Sequence, residues 1–149
     1  MKFVLSAIIV LGLITGISGC RKNSTDPGNS LLTHSTWKLY KITIDNPATA
    51  FVSDSVQSGY YLILRTNKTY FRNYYPYLYN ETGDWNYSSI SQQLVLTNIQ
   101  PVLQGTFASA TGQKQVYSVT ELTSDDLILV QTDTTGGNMV HTTWELHTY

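Results

Sequence analysis
Disulfide chemistry is excluded at once, because the 149-residue chain holds one cysteine, Cys20, and a lone thiol cannot close an intramolecular bridge. Charge is scarce as well. Asp, Glu, Lys and Arg make up 13 % of the chain and nearly cancel, to a net −1. No run of basic residues offers the footprint of a nucleic-acid binder, so no nucleic-acid partner is expected. Only two methionines are present, and no segment holds a helical period, which argues against a helical bundle. The motifs of covalent catalysis and phosphate binding, such as Gly-x-Ser-x-Gly and glycine-rich loops, are missing. Aspartates such as Asp84, Asp125, Asp126 and Asp133 fall at turns and strand ends, where they usually bond their own backbone. His141, Glu145 and His147 share one strand face, but strand rise puts the two histidines about 20 Å apart. One metal ion cannot bridge that span. The expectation is a non-enzyme without a metal or cofactor.

Long hydrophobic runs are also rare, and the exception organises the chain. Residues 3–17 are mostly apolar behind a positive Met1-Lys2 start, and Ser18-Gly19-Cys20 follows. About 20 apolar residues span a membrane, whereas about 7–15 make a secretory signal core. The run is the second kind. Ile17-Ser18-Gly19-Cys20 resembles the lipobox of bacterial lipoproteins, an aliphatic residue and two small ones before Cys. That resemblance implies cleavage after Gly19, a diacylglycerol on the Cys20 thiol and an acylated new amino terminus. Residues 1–19 are then a signal peptide, and the membrane is a partner through the N-terminal lipid. Arg21, where an aspartate would signal inner-membrane retention, implies the outer membrane of a bacterial cell envelope.

What is abundant is aromatic and β-forming. Eleven tyrosines, with Thr, Val and Ile, suit a pleated, half-buried surface. Residues 20–33 are polar around Pro27-Gly28-Asn29-Ser30 and read as the lipidated cysteine and a flexible tether. From residue 34 to 149 the chain alternates extended runs with turn chemistry. Strands are expected at 36–44, 59–65, 69–75, 82–87, 93–98, 113–121, 126–131 and 139–147. Residues 48–58 read as a looser segment with at most a short helical turn. Residues 101–112, rich in Gly, Ala, Ser and Thr, read as a loop that could hold an edge strand. In the last strand Val140, Thr142, Trp144 and Leu146 take one face. Short connections favour an antiparallel meander. About eight strands match a closed up-and-down barrel able to fill its interior or hold one small ligand. The expected fold is all-β, a single antiparallel barrel of about eight strands.

Ser35-Thr36-Trp37-Lys38-Leu39 resembles the Gly-x-Trp opening of lipocalin-type barrels. The pair Tyr70-Phe71, then Gly83-Asp84-Trp85, Leu94-Val95-Leu96, Tyr117-Ser118-Val119 and Leu127-Ile128-Leu129, resemble the lipocalin-like domains of small bacterial lipoproteins. The resemblance covers residues 34–149 and implies non-catalytic binding of a small apolar or amphipathic ligand. Candidate contacts are Trp37, Tyr61, Tyr70, Arg72, Tyr75, Tyr77, Trp85 and Trp144. The alternative is a filled barrel serving an envelope complex, with the tyrosine-rich loop 74–79 as the patch for a protein partner.

Overall fold
Alternation of apolar and polar residues forces each extended run to present one face to a common core, and the runs close on themselves to bury it. In the computed structural model, residues 26–46, 51–55, 59–74, 79–101, 114–135 and 137–149 are described. A helix α1 (Pro27–Thr33) precedes nine strands. They are β1 (Thr36–Asn46), β2 (Phe51–Ser55), β3 (Tyr61–Leu64), β4 (Thr69–Tyr74) and β5 (Tyr79–Ser88), then β6 (Gln93–Pro101), β7 (Gln115–Leu122), β8 (Asp126–Thr135) and β9 (Asn138–Thr148). Each antiparallel neighbour follows in sequence from β3 to β9, and β9 pairs back onto β1 from Trp37 to Asp45. The result is a closed antiparallel barrel of eight strands, as expected.

The ninth strand is a local correction. Residues 48–58 were expected to be loose, yet Phe51–Ser55 pairs with Ile42–Asn46 as β2. β9 occupies one edge of β1, so β2 and β3 must lie end to end along the other. Together they act as one interrupted wall strand. A run without clear alternation hides such a strand, because its pairing comes from β1 rather than from its own pattern.

The tether is the second correction. Its expected span reaches residue 33, but Pro27–Thr33 is helical. The Asp26 carboxylate accepts a hydrogen bond from the Gly28 amide at 3.0 Å, and Pro27 sits in the first turn, where its missing N–H costs nothing. Leu32 is fully buried. The helix closes the barrel end formed by the start of β1 and the ends of β3, β5 and β7. A polar, Pro-Gly composition had masked a cap followed by one apolar plug.

Inward positions follow the two-residue period: Trp37, Leu39 and Ile42 in β1, Leu62 and Leu64 in β3, Leu94 and Leu96 in β6, Leu127 and Leu129 in β8. Pairing shifts at Leu39/Lys41, Thr82/Asp84 and Val119/Glu121 keep both ends of these strands facing the core. The middle shift depends on Gly83. A Cβ there would collide with the Thr97 carbonyl oxygen and the Tyr70 ring. Opposite it Asn98 adopts φ 52°, a left-handed conformation asparagine tolerates, and its amide donates to Asp84 Oδ2 at 2.5 Å.

Candidate functional site
The barrel interior is layered. Next to α1 it is apolar: Leu32, Trp37, Leu62, Leu64, Leu94, Leu96, Leu127 and Leu146 fill it with almost no exposed surface. The Trp37 indole N–H donates to the Leu32 carbonyl at 3.0 Å, so the plug is held by a hydrogen bond as well as by burial.

Halfway along the barrel the side chains turn polar. Strand β4 points Tyr70 and Arg72 inward, β5 points Glu81, and β7 points Tyr117 and Gln115. Arg72 and Glu81 face each other in register, and both are 2 % exposed. The Arg72 guanidinium donates to Glu81 Oε1 at 2.6 Å, to Gln115 Oε1 at 2.9 Å and to the Tyr117 hydroxyl at 2.9 Å. The Tyr70 hydroxyl donates to Glu81 Oε1 at 2.6 Å, and the Tyr117 hydroxyl to Gln115 Oε1 at 2.8 Å. Two opposite charges are thus taken out of water together, each holding several short, charge-assisted bonds. Such a network does not stabilise the fold much relative to apolar packing; it holds a particular arrangement of strands.

Two phenols in this layer are held protonated well above the usual tyrosine range. Burial is the main cause for Tyr60, with Arg72 opposing it. For Tyr70 burial again leads, followed by its hydrogen bond to Glu81 and that carboxylate's charge. Both phenols therefore stay neutral and serve as no base at any ordinary pH: the Tyr70 hydroxyl donates to Glu81, whereas the Tyr60 hydroxyl accepts from Arg72.

Beside the polar layer stands Trp144, on the inward face of β9 opposite Ile42 and Leu129. Its ring lies 5.4 Å from Tyr60 at 39°. The indole N–H is buried and has no hydrogen-bond partner among the described residues. Toward the barrel end away from α1, the next inward positions of β9, Thr142 and Val140, are only half-buried.

The sequence candidates separate. Tyr70 and Arg72 meet in the polar layer, Trp144 stands beside it, and Trp37 belongs to the apolar plug. Trp85 is also near the plugged end, where its indole donates to the Arg65 carbonyl at 3.0 Å and Lys68 Nζ lies 3.9 Å above its ring. Tyr61 does not join them. It lies on the outer wall, stacked on Phe71 with ring centres 5.9 Å apart. Tyr75, Tyr77 and Cys20 lie outside the described residues.

Glu81, Gln115 and Tyr117 are not among the contacts expected from the sequence. The period-2 rule applied outward from Tyr70 marks Arg72 as inward, and an inward arginine requires an inward carboxylate on a neighbouring strand. Glu81 is the acidic residue that the β4–β5 hairpin places there. His141 and His147 are engaged separately: His141 Nδ1 lies 3.0 Å from Thr132 Oγ1, and His147 Nδ1 lies 2.5 Å from Asp126 Oδ1. Among the described residues, no three His, Cys, Asp or Glu side chains group in a way that could hold a metal ion. No protein-family model matches this chain, and neither does any curated protein.

Proposed function
We propose that this chain is a lipid-anchored protein of a bacterial envelope whose lipocalin-like barrel binds, without catalysis, a small apolar or amphipathic ligand. The anchoring rests on the Ile17-Ser18-Gly19-Cys20 pattern. The observation that carries the binding is the Trp144 indole N–H, a buried donor without a partner among the described residues. A buried donor left unsatisfied costs about 1–3 kcal/mol, and functional sites are a common reason for retaining one. A ligand seated against Trp144, Thr142 and Val140 would supply the acceptor. Its apolar part would meet Ile42 and Leu129, with the polar layer alongside.

The test is titration of a fluorescent fatty acid into the chain from residue 20 onward carrying Cys20→Ser. Saturable binding is expected, and Trp144→Phe should weaken it about fivefold, the value of one hydrogen bond near 1 kcal/mol. Absence of saturable binding, or an unchanged affinity in Trp144→Phe, would refute the assignment.

A second reading follows from the filling of the interior from α1 through the polar layer, where Tyr60, Tyr70, Trp85 and Tyr117 are all buried. That filling suits a structural subunit of an envelope complex, recognised through Tyr75 and Tyr77. Replacing both with serine should then release a co-purifying envelope protein. Retention of every partner would remove this alternative.

A further inference from the structure
The described chain begins at Asp26, six residues after Cys20, and that short distance has a geometric consequence. Six residues reach at most about 20–22 Å when fully extended. Strand β1 has 11 residues, so at barrel tilt the wall is about 27 Å high. Asp26 lies at the plugged end: its carboxylate is hydrogen-bonded by Ser89 in the β5–β6 turn. Lys68 of the β3–β4 turn reaches the next helix residues, donating to Asn29 Oδ1 at 2.8 Å. The opposite end of the barrel is thus farther from Asp26 than the connecting chain can reach.

The turns around this exit differ in character. The β5–β6 turn carries Ile90, 98 % exposed, at its tip beside Ser89. The β3–β4 turn next to it presents the exposed cations Arg65 and Lys68, whereas the β7–β8 turn presents Asp125. An apolar tip flanked by cations is what an anionic bilayer surface accepts, and an acidic turn is what it repels.

We propose that the anchored barrel sits on the membrane with its α1 end down, the β5–β6 turn inserting Ile90 among the headgroups beside Arg65 and Lys68. The end carrying Trp144's half-buried neighbours then faces away from the bilayer. This rests on the lipid-anchor reading and adds an orientation to it.

The experiment uses the full lipidated protein, in which acylation consumes the natural thiol and leaves an introduced cysteine free for a fluorophore. Labels at Ser91→Cys, in the proposed contact, and at Thr134→Cys, at the far end, are compared. The membranes are vesicles of phosphatidylethanolamine and phosphatidylglycerol carrying a nitroxide headgroup lipid. Flotation with the vesicles reports anchoring, and quenching reports orientation. Label 91 should be quenched severalfold more than label 134, and Ile90→Asp should remove most of that excess. Failure to float would defeat the anchor and this orientation together. Flotation with equal quenching at both sites, or stronger quenching at 134, would overturn the orientation alone. Undiminished quenching of label 91 in Ile90→Asp would overturn the contact through Ile90.

Discussion

Arg72→Met should cost about 3–5 kcal/mol of folding stability, because it leaves the Glu81 carboxylate buried without its cation. Glu81 would keep the Tyr70 hydroxyl as a donor, and one bond from an uncharged donor does not replace an ion pair at 2.6 Å. A domain of this size is stable by only about 5–15 kcal/mol, so the loss should be plain in urea denaturation. The double variant Arg72→Met with Glu81→Leu should lie close to the parent, because an apolar pair of similar volume dispenses with the desolvation. That contrast is the diagnostic. A single variant costing under about 1 kcal/mol, within the range of an exposed pair, would show that water reaches the layer and that the barrel is open at mid-height.

Trp37→Ala should be comparably severe, also about 3–5 kcal/mol, by loss of a fully buried indole and creation of a cavity. The effect should not be confined to β1. The indole N–H holds the Leu32 carbonyl, so removing it should release α1 and uncover the apolar layer beneath. Hydrogen exchange can separate the two parts: amides at the Asp26-capped helix should lose protection more than those pairing β8 with β9. Trp37→Phe should fall between, keeping most of the packing but leaving the Leu32 carbonyl without its donor, a loss near 1 kcal/mol. If helix protection were unchanged in Trp37→Ala, the plug would be held by Leu32 alone.

Both predictions concern side chains whose direction the sequence half-discloses. Arg72 was legible as a candidate, but its role was not. An arginine in a strand of tyrosines more often lies along the outer wall. Only the register Arg72↔Glu81 and the closure that brings Tyr117 and Gln115 of β7 across from β4 turn it into the hub of a network. Tyr61 shows the same limit from the other side. It is as aromatic as its neighbour Tyr60, yet one step of the two-residue period puts Tyr60 in the core and Tyr61 outside. Trp144 was legible on both counts, because the alternation in β9 is uninterrupted. Its unsatisfied N–H was not, since hydrogen bonding depends on what the other strands bring near it.

The plugged end repeats the pattern. Asp26-Pro27 is a helix start that can be recognised locally, but seven residues are too few to be helical on propensity alone. Docking against the barrel, with Leu32 buried and Gly28 against the Tyr87 ring, makes the helix worth forming. The same dependence explains β2, whose partner rather than whose own pattern makes it a strand.

By itself, then, the sequence determined the number, order and antiparallel sense of the eight wall strands, because alternation and turn chemistry are local properties. It also carries the Ile17-Ser18-Gly19-Cys20 pattern on which the proposed anchor rests. Tertiary structure alone decided the helical plug, the pairing of β2 with β1, the pairing of Arg72 with Glu81 and the isolation of the Trp144 donor. Each of those depends on groups from different elements meeting, and where water is excluded the cost of an unpaired charge or donor selects the partner.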